Sequence, residues 1–332
     1  MALPLEKLGK THEEQTATID ADRARAYAAA TNDDNPAYES GKYAPPVFGV
    51  VPTWEALGIA VADIIPSEAD RRVFALAPVV ILISTFLIYV VVPAGPRLVV
   101  EDLDVGIFYA LAVSSLSVVG VLMAGWASAN KYSLLGALRA AGQLIAYELP
   151  LVLAVVGVVI QAGTMSLQGI VNAQAEQSIF GFGAIGNPFV FTQFLGFLLF
   201  LAAAQAELTQ TPFDMPVAES ELVAGYMTEY SGFRFLFFFI SEFGTAFALS
   251  GIAATLYLGG WYQPFFESGF MADLLGPLVL GVKVMLVAFL IFWIRFTFPR
   301  FREDQLQTFA WKYLIPLSLV NILVTGVLKV AL

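Results

Sequence analysis

Cysteine is absent from the 332 residues, and histidine occurs once, at His12. Without those side chains the chain has no ligands for Cys-held iron–sulfur clusters, no disulfides and no Cys-rich zinc site. Charge is also scarce: charged residues make up 13%, against about a quarter in ordinary soluble domains. Positive charge is the scarcer sign, with 17 Lys or Arg, 27 Asp or Glu and a net charge of −10. That balance argues against a nucleic-acid partner, whose binding rests on phosphate neutralisation by Lys and Arg. No phosphate-cradling Gly motif follows a strand pattern, so nucleotide chemistry is expected elsewhere. What the chain has is apolar surface, 58% hydrophobic residues and a mean hydropathy of +0.75. Most of it must be solvated by lipid.

The first 70 residues depart from this pattern, with 12 Asp or Glu against 5 Lys or Arg and no apolar run long enough to span. They lack the basic start, apolar core and small-residue cleavage site of a signal peptide. Asp20 to Thr31 reads as a short helix with an acidic first turn, and Asn32 to Tyr38 as a turn. Tyr43 to Trp54 leads into a moderately apolar helix ending near Pro66. Through A-A-A-T-N-D-D-N-P-A-Y and A-P-P-V-F-G-V-V-P-T-W this piece resembles the beginning of a MaoC-like hot-dog dehydratase. Tyr38 stands where that family's turn would carry catalytic groups, and the strands of a complete hot-dog sheet are missing. The expected organisation is an incomplete fragment over 1–70 and a membrane domain over 71–332.

From Val73 onward the hydropathy is that of an all-α polytopic membrane protein, a span needing roughly 20 mostly apolar residues. Seven spans are expected, at about 73–93, 105–126, 144–162, 189–206, 233–258, 276–296 and 312–330. Trp126, Trp261, Tyr262 and Trp311, near span ends, suit interfacial belts. If Val73 starts in the cytoplasm, the inner segments hold Arg71, Arg72, Lys131, Arg139, Arg234, Arg295, Arg300, Arg302 and Lys312. The outer ones hold only Arg97 and Lys329. The positive-inside rule therefore places the polar loops 126–148, 207–232 and 295–312 in the cytoplasm. No fixed-period repeat supports an inverted-repeat transporter.

The second of these loops carries the strongest chemistry. It reads A-E-L-T-Q-T-P-F-D-M-P-V-A-E-S-E-L-V-A-G-Y-M-T-E-Y and holds Glu207, Asp214, Glu219, Glu221 and Glu229 with no Lys or Arg. Acids beside a bilayer are costly unless they face protein, water or a partner. Pro212 and Pro216 break any helix around Asp214. After them a short helix is expected, with Glu221 and Glu229 nearly on one face. Closely spaced carboxylates in low dielectric raise one another's proton affinity and titrate as a group, so such a set can pass protons through water. A calcium or manganese site is the competing reading, although no compact Asp-x-Asp loop is present. A solvated acidic loop is the bland one, opposed by Glu207 at the end of one apolar run and Glu242 inside the next.

Two other loops add candidates. The first carries a Leu-Leu-x-x-Leu pattern that suggests a helix along the interface, with Glu148 at the mouth of the next span just before Pro150. Glu148 reads either as a functional acid or as a cap for a helix start. The third, R-F-T-F-P-R-F-R-E-D-Q-L, presents Arg295, Arg300 and Arg302. These suit docking on the acidic loop or an acidic partner through bidentate pairs, or serve topology alone. Lys283, in mid-span, has two readings: a pair with Glu242, or a proton path.

These three loops, in this order, resemble one family closely: the H-type membrane subunits of bacterial NADH-quinone oxidoreductase, respiratory complex I. The likeness runs from about residue 69 onward and rests on G-W-A-S-A-N-K-Y-S-L-L-G-A-L-R-A-A-G-Q-L-I-A-Y-E, the acidic motif through Ser231-Gly232, and R-F-T-F-P-R-F-R-E-D-Q-L. The resemblance implies a membrane-arm subunit in the bacterial inner membrane, under the peripheral arm, lining the quinone chamber and starting a proton path. Glu148, Glu207, Asp214, Glu219, Glu221 and Glu229 match the family's acidic funnel, and Arg139, Arg295 and Arg300 its basic residues near quinone. Redox centres and the NADH site would sit on partner subunits, leaving this chain without a cofactor of its own and inactive alone. The family has eight spans, and its first is replaced here by the MaoC-like piece, which reads as a truncated or chimeric product or as a substitute wall for the quinone entrance. A membrane-bound hydrogenase component is the nearest alternative. A self-sufficient ion transporter and a dehydratase fused to an anchor come from other classes.

Overall fold

The structure is a computed structural model that describes residues 65–66, 68–176, 187–263 and 270–331; of 219–220 and 270–272 only the backbone is described. Two compact units are present, Met1–Ser67 with Glu229–Phe233, and Glu68–Thr228 with Arg234–Leu332. Nearly all described residues belong to the second unit. The MaoC-like motifs and the elements expected before residue 65 lie outside the described residues.

All regular structure among the described residues is helical. Helix α1 (Arg71–Tyr89) opens on Asp70, whose carboxylate accepts from the backbone N–H of Arg72 and Val73, satisfying two of the donors that every helix start leaves free. The second expected span arrives as two helices, α2 (Gly106–Ser114) and α3 (Leu116–Ala127). Between them the Ser114 and Ser115 hydroxyls donate back to the Leu111 and Ala112 carbonyls, each at 2.9 Å, a local bond that bends helices.

Helix α4 (Lys131–Ala162) corrects the sequence reading most. An interfacial helix followed by a span from residue 144 was expected, and one helix of 32 residues forms instead. Asn130 caps it by accepting from Tyr132 N–H at 2.9 Å, and the Ala and Leu residues that follow favour helix enough to carry it past Gly136 and Gly142. Pro150 sits inside it, because within a membrane bundle neighbouring groups accommodate the lost bond. Glu148 therefore lies inside a helix and does not cap a helix start.

The short α5 (Leu167–Glu176) and α6 (Phe194–Glu207) follow. At 14 residues α6 reaches about 21 Å. Then come α7 (Glu219–Leu222), a 3₁₀ turn (Gly225–Met227), α8 (Gly232–Tyr257) and α9 (Phe270–Thr297). The chain ends with α10 (Glu303–Thr308), a π-helical turn (Phe309–Leu314) and α11 (Ile315–Ala331). Among the described residues six helical stretches are long and apolar enough to cross a membrane, with α6 a shorter seventh. The chain is a polytopic membrane protein, as the hydropathy indicated.

Helix α4 is the central post, packed on α3, α6 and α11. The apolar window of α4 is 56% buried, against 28% for α9 and 22% for the final stretch, so those two form the rim. A polar knot fixes the register inside the bundle: Asn321 Nδ2 donates to Gln193 Oε1 at 2.9 Å, and Gln193 Nε2 donates to Thr325 Oγ1 at 2.6 Å. Side-chain amides of this kind join membrane helices that have no hydrophobic drive to associate. Of the aromatics expected at interfaces, Trp126 and Trp311 are exposed, whereas Trp261 is buried and donates its indole N–H to Gln168 Oε1.

Candidate functional site

One face of α4 organises the site. Arg139, Gln143 and Tyr147 recur every four residues and so point the same way. Gln143, buried, donates from Nε2 to the carbonyls of Ala206 and Phe213, both at 2.8 Å. Tyr147 donates its hydroxyl to the Leu306 carbonyl at 2.8 Å and meets the Phe213 ring edge-on at 5.3 Å. Arg139 Nη1 reaches Glu221 Oε2 at 2.6 Å, and its Nε stands 3.6 Å from Glu303 Oε2. A single helix face thus holds the acidic loop and the third loop together.

The turn around Pro212 is shaped as expected. Gln205 Nε2 donates to the Thr211 carbonyl at 2.8 Å, and Phe301 N–H to the Pro212 carbonyl at 3.0 Å. The Phe213 ring packs against Phe301 and Phe309. Asp214 pairs with Arg300 at 3.0 Å. Of the two readings of the third loop, docking on the acidic loop is the one the geometry shows for Arg300. Arg302 instead pairs with its neighbour Asp304 at 3.0 Å.

After the turn the expected short helix does not run through. One α-helical turn, Glu219–Leu222, stops at Val223, whose φ is 65°, and the 3₁₀ turn Gly225–Met227 takes over. Glu221 and Glu229 therefore share no helix face. Glu229 belongs to the smaller unit and Glu221 to the larger. Gly225 has φ +56°, and a Cβ there would press into the Pro216 carbonyl oxygen; a Cβ on Gly136 would come within 2.7 Å of Gly225 Cα. Two glycines let the loop lie directly on α4.

Behind the loop is a cavity of about 60 Å³ lined by Ser117, Glu207, Thr209, Tyr226, Ser241 and Glu242, with apolar walls from Ile81 and Val121. A water needs about 10–15 Å³ on this measure and two to four polar partners, so several waters fit. Glu207 Oε2 is buried without a hydrogen-bond partner. Glu242 accepts from Gln210 Nε2 at 3.1 Å and lies 3.6 Å from Arg295 Nη1. Tyr226 rests edge-on against Phe238 at 5.7 Å. Burial first, and then the Glu242 and Asp214 carboxylates, push its phenol up, so it stays a neutral donor and acceptor.

Two sequence readings change here. Lys283 does not pair with Glu242: its ammonium donates to the carbonyls of Gly260 at 2.8 Å and Tyr262 at 3.0 Å, in the loop that follows α8. Glu242 belongs to the site, while Gln143, Gln210 and Tyr226 were not read as site residues. The four-residue spacing of Arg139, Gln143 and Tyr147 was a legible signal for Gln143. Tyr226 had none, because its place depends on the turn at Gly225.

A family model described as NADH dehydrogenase matches residues 59–326, so the match begins about ten residues ahead of the resemblance carried by the three loops. The H-type chain of the NADH-quinone oxidoreductase from Geobacillus kaustophilus is 47% identical over 267 residues, 80% of this chain and 76% of that protein. Its counterpart from Dehalococcoides mccartyi is 45% identical over 282 residues, 84% of this chain and 74% of that protein. The one from Bacillus mycoides is 46% identical over 267 residues, with 80% and 76% covered.

Proposed function

The chain belongs to the NADH dehydrogenase family, together with the H-type chains of NADH-quinone oxidoreductase, and from that premise we propose that it couples quinone reduction to proton movement through its carboxylates. It does so as a membrane-arm subunit in the bacterial inner membrane, with the acidic loop on the cytoplasmic side, beside a quinone chamber shared with peripheral-arm subunits. Quinone is the substrate, and the redox centres reside on those partners.

The observation that carries this reading is the cavity shared by Glu207 and Glu242, with the buried Glu207 oxygen left without a donor. A carboxyl group in that setting is suited to taking up and releasing a proton, since burial without a partner penalises a fixed charge. Water and the hydroxyls of Ser117, Ser241 and Tyr226 fill the gap between the two acids. Glu148 extends the set along α4 toward the membrane interior. Asp214 and Glu221, held by Arg300 and Arg139, form the mouth, where protons linked to quinone chemistry enter. Glu219 and Glu229 belong to the same acidic loop in this reading. Arg139, Arg295 and Arg300 balance the acids and present cations toward the chamber.

The names of the relatives favour this complex over a hydrogenase. The test is Glu207→Gln in the assembled complex, read in inverted membrane vesicles. Proton translocation per quinone reduced should fall several-fold with the complex intact. Unchanged translocation and unchanged quinone reduction would remove Glu207 from the path.

A further inference from the structure

At the end of the bundle opposite the acidic loop, a second cavity opens between the end of α1, the turn that follows it, α8 and α9. It measures about 490 Å³, within the range of about 300–1,000 Å³ of small-ligand sites. Its walls are apolar: Tyr89, Val92, Leu98, Phe247, Gly251 and Leu280. No carboxylate lines it among the described residues. One charged side chain does, Arg97, which is exposed, and its guanidinium has no hydrogen bond or ion pair among the described residues.

The wall is built and not an accident of loose packing. The Ala94 and Gly95 N–H groups both donate to the Leu98 carbonyl, at 2.8 and 3.2 Å, closing a tight turn that holds Arg97 near its tip. Tyr89 donates its hydroxyl to the Gly244 carbonyl at 2.6 Å, which locks its ring as one side of the opening. Gly251 forms part of the wall, where an added Cβ would rest against Val92 Cγ1 at 3.4 Å and a longer side chain would enter the cavity.

We propose that this cavity binds one membrane phospholipid, its acyl chain on the apolar walls and its anionic phosphodiester on Arg97. Charge complementarity selects that occupant. Arg97 is one of only two cations expected in the outer segments, Lys329 being the other, and an unpaired guanidinium forms its strongest bonds with phosphate or carboxylate oxygens. A partner helix would answer the guanidinium only by placing a carboxylate at this edge of the cavity, whereas an anionic phospholipid supplies both the chain and the phosphate. The site is separate from the carboxylate cavity and does not rest on its proposed function.

The full chain, purified in detergent and titrated with phosphatidylglycerol, tests this by native mass spectrometry. The wild type should retain one lipid per chain. Arg97→Gln, an exposed change that leaves the fold alone, should weaken retention at least about tenfold. Gly251→Leu, checked for intact helix by circular dichroism, should abolish it by entering the cavity. A photo-crosslinking residue placed at Val100 in intact membranes should acquire the mass of a phospholipid. Equal retention by wild type and Arg97→Gln overturns the proposal, and so does capture of a neighbouring protein alone at Val100.

Discussion

Replacing Gln143 by Leu keeps the bulk of the side chain and removes the two bonds that tie the acidic loop to α4. Both acceptors keep a backbone donor, since Thr209 N–H also reaches the Ala206 carbonyl and Met215 N–H the Phe213 carbonyl. Neither carbonyl is then stranded, and the loss is the net value of two hydrogen bonds. That is about 1–2 kcal/mol in total, the lower figure reflecting the smaller worth of such bonds inside membranes. The native Oε1 of Gln143 has no partner, so its removal costs nothing further. With five Trp residues as reporters, thermal unfolding of the full chain in detergent should show a Tm lowered by roughly 2–8 °C. In the assembled complex the same change should lower coupled proton translocation, because the turn carrying Asp214 is released. A Tm within a degree of wild type together with full coupling would refute the claim that Gln143 holds the loop.

Gly225→Ala should lower the Tm more than Gln143→Leu does, since the new Cβ meets the Pro216 carbonyl and the positive φ adds about 1–2 kcal/mol; the same melt checks it. Arg300→Ala should change stability by less than about 1 kcal/mol, because the Asp214 pair is partly exposed, yet it should speed proteolysis at 212–216, and equal cleavage would show that the pair does not restrain the turn. Tyr226→Phe keeps the ring contact with Phe238 and so should leave the melt unchanged while lowering proton translocation several-fold. Full translocation would remove that hydroxyl from the relay.

Composition made the membrane class legible at once, because spans are set by long apolar runs that need no knowledge of tertiary contacts. Helix ends were harder. The α4 expectation failed ahead of residue 144, where an interfacial helix was to end and a span begin, because helix-favouring residues carry one helix straight through. Ser115 split a span that hydropathy saw as uniform. At the site, the carboxylates were visible as charges out of place, and Pro212 and Pro216 marked the turn. The pairings were not: Lys283 and Glu242 each interrupt an apolar run, yet Lys283 answers loop carbonyls while Arg295 stands by Glu242. Sequence separation hides such choices, which are fixed by which helix faces meet.

The central claim is that Glu207 and Glu242 act through one cavity. A double-mutant cycle on proton translocation per electron in the assembled complex, with Glu207→Gln, Glu242→Gln and both together, measures it directly. If the two acids serve one path, the double variant should be no worse than the more impaired single variant. Losses that multiply, or no loss in either single variant, would contradict the shared cavity as the route.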